Sequence, residues 1–189
     1  DKYKVGSLGE TILINSTGNI KEYYTLLDAV FDLSREDVLK EIKTSELKGR
    51  GGAGFPMGIK LDTCAKTESD TKFIICNADE GDPGAYTDRY IMEQRPHSLL
   101  LGMIITGYAV GAEWGVLYIR GEYPESVEII EKAIQDLYDH SILPLKNKKG
   151  FEYKLKVIKA QGAYICGEET ALINSIEGQR PEVRIRPPF

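Results

Sequence analysis

The fold of this 189-residue chain is decided by the stretch FIICNADEGD, residues 73–82. Its first four residues form a short apolar run that is typical of a buried strand, and a polar cluster follows at once. Two further strand-like runs lie at 115–120 and 153–160, and helical patterns separate the three. Strands that alternate with helices predict right-handed βαβ units. We therefore expect an α/β, Rossmann-like fold with a largely parallel sheet flanked by helices.

The helical patterns around these strands are clear. A long apolar helix is predicted from Pro96 to about Ala112, and an amphipathic helix begins at Pro124. Residues 1–48 form a mixed N-terminal lead segment, with a possible short strand at 11–14 and a helix at about 20–31. A second helix, with Ser34 as its N-cap, ends this lead. Another helix is expected to run from residue 170 to about 177.

Two polar clusters follow predicted strands. The first contains Asn77, Asp79 and Glu80, and the second contains Gly167 and Glu168-Glu169. Ligands of open parallel sheets bind at the carboxyl ends of the strands, where both clusters are expected. Two other interpretations stay open: the first cluster is a strand-exit loop with Asx turns, and the second pair of carboxylates offsets a helix dipole. The sequence from residue 77 matches the first positions of a calcium-binding loop but not the later ones, so a calcium site is discounted.

A glycine-rich stretch, GRGGAGFP at residues 49–56, precedes the first strand. Glycines at this density let the backbone approach a ligand with its N–H groups directed at phosphate. Arg50 and Lys60 flank the stretch and carry charge that would neutralise a phosphate. The match to G-x-G-x-x-G is discounted because a helix, not a strand, is predicted before it. A glycine-rich surface turn is the alternative.

Composition excludes several classes of function. The net charge of −5 argues against a nucleic-acid partner, and no apolar run approaches the ~20 residues needed to span a bilayer. The three cysteines are too few and too scattered for a disulfide framework or a complete metal site, and they indicate a cytoplasmic protein. No grouping of residues suggests a covalent nucleophile. The clusters favour a bound redox cofactor that carries out the chemistry itself.

Five blocks of the sequence, in order, resemble one family. They are LKGRGGAGFPMGIK (47–60), NADEGDPGAYTDR (77–89), YIRGEYPES (118–126), GAYICGEETALINSIEG (162–178) and RIRPPF (184–189). The chain is similar to the NADH-binding flavin subunit of NADH dehydrogenases, the NuoF family of respiratory complex I. This family includes the diaphorase subunits of NAD-linked hydrogenases and formate dehydrogenases. The resemblance implies an FMN- and NADH-binding domain over residues 49–189, incomplete at its carboxyl end.

The resemblance also implies a site. Residues that match FMN-binding positions are Gly49, Arg50, Gly51, Gly52, Lys60, Asn77, Asp79, Glu80, Gly167 and Glu168. Residues that match NADH-site positions are Phe55, Asp82, Tyr164, Glu169, Arg186 and Phe189. Glu169 is expected to accept hydrogen bonds from the adenosine ribose, and its charge favours NADH over NADPH. The resemblance further implies that hydride passes from nicotinamide to the flavin, which hands electrons singly to iron–sulfur clusters.

Several departures from the family pattern carry expectations of their own. Leu61 and Thr63 stand where relatives carry aromatic residues, which weakens one wall of the adenine pocket. The family's [4Fe–4S] motif lies further along, so the chain is expected to be the amino-terminal part of a longer subunit. Expected partners are a small thioredoxin-like [2Fe–2S] subunit and other iron–sulfur subunits, in a complex that is cytoplasmic or peripheral on the membrane's inner face. A non-catalytic nucleotide-binding or subunit-docking module is the alternative function.

Overall fold

The computed structural model describes residues 18–147, 150–160 and 164–185. Its strands are β1 (Phe73–Ala78), β2 (Trp114–Ile119), β3 (Leu145–Lys146) and β4 (Glu152–Lys159). They form one sheet in the order β1-β2-β4-β3. β2 pairs in parallel with both β1 and β4, and the two-residue β3 pairs antiparallel with β4. The predicted largely parallel sheet is confirmed.

The helices alternate with these strands. They are α1 (Ile20–Tyr24), α2 (Leu26–Asp32), α3 (Arg35–Thr44), α4 (Met57–Lys66), α5 (Thr87–Gln94), α6 (Pro96–Val110), α7 (Pro124–Asp139), α8 (Glu169–Ile176) and a short 3-10 helix, η1 (Tyr164–Gly167). The single helix expected at 20–31 was wrong in one respect, because Thr25 separates α1 from α2. The strand expected at 11–14 lies outside the described residues.

Local signals fix several helix ends. The Ser34 hydroxyl accepts a hydrogen bond from the Asp37 N–H and so caps α3. Proline occupies the first turn of α6 and of α7, where its missing N–H costs nothing. Helix α6 ends at Val110 and is capped by Gly111, whose φ of 76° is the left-handed conformation that glycine adopts without strain. The predicted helix therefore stops two residues before Ala112.

The sheet separates two apolar clusters, because successive side chains of a strand point to opposite faces. On one face Leu117, Ile119 and Leu155 pack with helices α3, α4, α6 and α7 in the main core. On the other face Tyr118 packs with Cys166 and Leu172, at the end of the sheet covered by η1 and α8. The main core thus supports one face of the sheet and the smaller cluster supports the other.

The described part of the lead segment packs into the same core. Tyr24 and Leu27 from α1 and α2, and Val38 and Leu39 from α3, are all at least nine-tenths buried among residues of α6. Helix α3 also packs against α4, which carries Lys60. No helix in the described ranges is long and apolar enough to cross a membrane.

Candidate functional site

The two polar clusters meet at the carboxyl end of the sheet. The Asn77 side-chain amide donates a 2.8 Å hydrogen bond to the carbonyl oxygen of Gly167, which links β1 to the turn before α8. Asn77 is not in the loop where the sequence pattern predicted it. It belongs to β1 and lies in register with Tyr118 of β2, because the ladder between these strands extends to Ala78. This contact brings the first cluster to the second.

Asp79 is the buried acidic residue of this junction, with 8% of its surface exposed. Its N–H donates to Asn77 Oδ1 at 3.2 Å, the Asx turn that the sequence left open. Its Oδ2 atom is buried and accepts no hydrogen bond from the described residues. Burial raises the pKa of this carboxyl, and the charge of Arg120 opposes that rise. Asp79 therefore presents a buried acceptor that suits an N–H or O–H donor.

Gly167 lies against Asp79. A Cβ atom built on Gly167 would come within 3.2 Å of the Asp79 carbonyl oxygen, which is tighter than ordinary van der Waals contact. A side chain at this position would crowd the turn and push it away from β1. Glycine at 167 therefore permits the two clusters to approach as closely as they do.

The Glu80 carboxylate caps helix α5. Its carboxylate oxygens accept hydrogen bonds from the N–H groups of Asp88 and Arg89, at 3.0 and 3.3 Å, in the first turn of α5. These are backbone donors that a helix cannot satisfy internally. The Glu80 carbonyl oxygen accepts from the guanidinium of Arg120. Glu80 thus fixes the loop after β1, whatever further contact it makes with a ligand.

Glu168 and Glu169 divide two tasks between them. Glu168 is the N-cap of α8, and its Oε2 accepts from the N–H groups of Thr170 and Ala171 at 2.9 and 3.0 Å. Glu168 thus lies at the positive end of α8, in agreement with the helix-dipole interpretation that the sequence left open for this pair. Glu169 is in the first turn of α8, and its carboxylate lies 3.9 Å from Lys60 Nζ. This ion pair joins the helix after the glycine loop to the second cluster.

The glycine loop is closed at its base and open at its tip. Gly49 N–H donates to the Phe55 carbonyl oxygen at 2.9 Å, and Met57 N–H donates to the Leu47 carbonyl oxygen at 2.8 Å. At the tip Gly52 has a φ of 98°, which disfavours any side chain. Cβ atoms built on Gly51 and Gly52 would have no heavy atom within 4 Å. The tip thus leaves its backbone accessible, as a phosphate-binding loop requires.

The other predicted site residues are either exposed or lie partly or wholly outside the described residues. Arg50, Asp82 and Phe55 are exposed or half-exposed, and the ring of Phe55 stands out from the loop with 54% of its surface accessible. Tyr164 begins η1, and its side chain lies outside the described atoms, as do Arg186 and Phe189 entirely. The structure therefore gathers residues of both clusters, with Lys60 beside Glu169. It does not connect Arg50 or Phe55 to them by any described contact.

Two residues differ from what the sequence led us to expect. Leu61 is 7% exposed and belongs to the main core, so its side chain faces away from solvent beneath α4. Arg120 was not recognised as a site residue, although it binds the Glu80 carbonyl oxygen. A cation at the carboxyl end of a predicted strand, at the edge where both clusters lie, was the signal that could have found it.

A family model and several known proteins match this chain. The model of the Nuo51 FMN-binding domain matches residues 42–189. The chain is 42% identical over 168 residues to a component of the NADH-quinone oxidoreductase of Rhizobium meliloti, covering 88% of this chain and 40% of that protein. It is 44% identical over 167 residues to HndC of the NADP-reducing hydrogenase of Solidesulfovibrio fructosivorans, covering 88% of this chain and 34% of that protein.

A solved structure shares the fold. The NAD⁺-reducing [NiFe]-hydrogenase in its H₂-reduced state superposes with a TM-score of 0.76 at 36% sequence identity. The match covers 85% of this chain and 28% of the hydrogenase chain. The chain thus spans well under half the length of the relatives it matches.

Proposed function

This chain belongs to the family of the Nuo51 FMN-binding domain, whose model matches residues 42–189, and from this membership we propose that it binds FMN and oxidises NADH as part of a larger subunit. Within it we propose a lead segment over residues 1–48 and a cofactor-binding domain over residues 49–189. The fold, the position of the site and the chemistry of its side chains each support this assignment.

The observation that carries the proposal is the buried Asp79 carboxylate. Its Oδ2 atom has no hydrogen-bond partner among the described residues, although a buried acceptor without a donor is costly. A Cβ atom built on Gly167 would lie 4.0 Å from this Oδ2 atom, and the Asn77 side chain accepts from the Asp79 N–H, so both residues lie beside the carboxylate. The flavin ring of FMN offers N–H and carbonyl groups on one planar edge, so the residues present fit that end of the cofactor.

The other end of the cofactor fits the glycine loop. FMN ends in a phosphate, which backbone N–H groups and cations bind well. The open tip at Gly51-Gly52 supplies the first, and Arg50 and Lys60 supply the second. Lys60 lies on α4, one turn from its start, so the positive end of that helix adds to the same field.

The chemistry divides between cofactor and chain. Bound FMN supplies a hydride acceptor that releases electrons one at a time. We assign to this chain the tasks of binding and orientation. Asp79 and Asn77 would hold the flavin, and glycine at 167 would leave room beside them. Phe55 would contact the nicotinamide nucleotide.

Glu169 is proposed to select the nucleotide. Its carboxylate would accept from the ribose hydroxyls of NADH and repel the 2′-phosphate of NADPH. The Lys60 side chain at 3.9 Å lowers that repulsion by its opposite charge. One relative is named for reducing NADP. We propose a preference for NADH that the Glu169 carboxylate creates and that the charge of Lys60 weakens.

The electrons leave through partner subunits. The relatives are named as parts of a quinone oxidoreductase and of hydrogenases. We propose that the full-length protein carries a [4Fe–4S] cluster in its later part and contacts a thioredoxin-like [2Fe–2S] subunit. We place the complex in the cytoplasm, peripheral to the membrane.

The test compares FMN with riboflavin, which has the same ring but no phosphate. We expect the full-length subunit to bind FMN more tightly than riboflavin. Lys60→Gln should weaken FMN binding and leave riboflavin binding unchanged. The matched control is Lys66→Gln on the same helix, since Lys66 pairs with Asp62. Equal affinities of the wild type for FMN and riboflavin would contradict the phosphate assignment, and binding of neither would contradict the proposed function.

A further inference from the structure

Arg120 connects the end of β2 to the candidate site. It is the first residue after β2, and its N–H donates to the Ala78 carbonyl oxygen at the end of β1. Its guanidinium reaches the carbonyl oxygen of Glu80, two residues further along the loop. The same arginine therefore holds both the end of β1 and the turn that carries Asp79.

The guanidinium is itself held in place. Its Nε donates to the Glu122 carboxylate at 3.0 Å, and its Cζ lies 5.6 Å from the centre of the Tyr123 ring. Only 26% of the side chain is exposed. Because Glu122 and Tyr123 already restrict this long side chain, it loses little further conformational freedom when it binds the Glu80 carbonyl oxygen. Arg120 can therefore hold the loop in one position.

The charge of Arg120 also acts on Asp79. Burial disfavours the ionised form of the Asp79 carboxyl, and Glu122 adds to this effect by repulsion. The charge of Arg120 favours the ionised form. Tyr118 is a further titratable group that interacts with Asp79, from β2. Arg120 is thus the cation that opposes protonation of the buried carboxyl.

We propose that Arg120 is a positioning residue of the site: it holds the Asp79–Glu80 turn in place and sets its positive charge near the Asp79 carboxyl group, which accepts a hydrogen bond from the flavin ring. This inference rests on the proposed function, because it assumes FMN at this junction. Arg120 acts through the turn and through Asp79, without contact to the cofactor.

The experiment measures FMN affinity of the full-length subunit, by quenching of flavin fluorescence, between about pH 5 and pH 9. Arg120→Gln removes the charge, Arg120→Lys keeps it without the planar guanidinium, and Glu122→Gln loosens the clamp. Arg180→Gln is the matched control, since Arg180 is a surface arginine with 86% of its side chain exposed. Arg120→Lys and Glu122→Gln keep the proposal testable should Arg120→Gln fail to fold.

We expect Arg120→Gln to weaken FMN binding about tenfold near neutral pH. The pH below which affinity falls should move upward, because Asp79 protonates more readily without the cation. Arg120→Lys should reduce the affinity for FMN but lose it at the same pH as the wild type. Glu122→Gln should also reduce the affinity for FMN, without raising the pH below which it falls.

The proposal would be overturned if Arg120→Gln bound FMN with wild-type affinity and lost it at the wild-type pH. It would also be overturned if the affinity fell but the pH at which it is lost did not move, because Arg120 would then have only a structural role. A wild-type subunit that binds no FMN would instead overturn the proposed function, and this inference with it.

Discussion

The Asn77 side-chain amide donates a 2.8 Å hydrogen bond to the carbonyl oxygen of Gly167, across 90 residues of chain. Its Oδ1 atom accepts from the Asp79 N–H, so one side chain ties the end of β1 to both polar clusters. A strand end and a helix start that are far apart in sequence are thereby held as one surface. This contact therefore helps to set the position of the two clusters relative to each other.

Asn77→Ala should lower the affinity for FMN about tenfold, because it removes a hydrogen bond that holds the two clusters together. Fluorescence titration of the full-length variant with FMN measures this loss. Asn19→Ala is the matched control, since Asn19 caps α1 through its own side chain and lies far from the site in sequence. An Asn77→Ala protein with wild-type FMN affinity would contradict the role of this contact.

Glu168→Ala should destabilise the folded domain by about 1 kcal/mol, because α8 loses its N-cap, and should also weaken FMN binding. Ser34→Ala removes the N-cap of α3 at a similar cost in stability. Urea unfolding and FMN titration of both variants separate the two effects. If Ser34→Ala weakens FMN binding as much as Glu168→Ala, then the loss reflects helix stability alone.

Asp79→Asn should stabilise the FMN-free protein at neutral pH by about 1 kcal/mol. Burial raises the Asp79 pKa in the folded state, so the stability contributed by this carboxyl is present at low pH and lost as the pH rises through the folded-state pKa. The gain from Asp79→Asn should therefore disappear below the ordinary Asp pKa of about 3.9. Thermal unfolding at several pH values measures it.

Asp62→Asn is the control with the opposite sign. Hydrogen bonds from Lys66 and Lys43 lower the Asp62 pKa, so this carboxyl stabilises the folded state at neutral pH and loses that effect in acid. We expect Asp62→Asn to lower the unfolding temperature at neutral pH. An Asp79→Asn protein that is less stable than wild type at neutral pH would contradict the assignment of Asp79 as a buried, unsatisfied acceptor.

Gly58→Ala should destabilise the domain by about 1–3 kcal/mol, because a Cβ at this position would lie 2.8 Å from the Cα atom of Lys43 on α3. Gly102→Ala makes the same change within α6, where a Cβ meets nothing within 4 Å, and should stabilise by about 0.5–1 kcal/mol. Urea unfolding compares the two. Equal effects of both substitutions would contradict the close packing of α3 against α4.

The strands and long helices could be predicted because their patterns are local. Buried parallel strands are apolar runs, and Pro96 and Pro124 mark helix starts within their own segments. The two-residue β3 and the helices α4 and α5 were not predicted. These elements depend on contacts with distant parts of the chain. Helix α4 packs against α3 at Gly58, and the Glu80 carboxylate caps α5.

The sequence predicted which residues belong to the site better than it predicted the contacts that they make. The sequence placed Asn77 and Asp79 at a strand exit, but β1 runs two residues further than predicted, to Ala78, so that Asn77 lies within the strand. It could not indicate that Glu80 and Glu168 hold helix ends, nor that Arg120 clamps the loop, because these hydrogen bonds depend on how the chain folds back. Leu61 shows the same limit, since its burial follows from the packing of α4.

Oxidation of NADH by this domain is tested most directly by an anaerobic reduction of the bound flavin. The purified full-length subunit is loaded with FMN, NADH is added without oxygen, and the flavin absorbance is followed. We predict rapid bleaching of the flavin absorbance with one NADH consumed for each FMN, and slower bleaching with NADPH. Tight FMN binding without bleaching by either nucleotide would contradict the claim that this domain oxidises NADH.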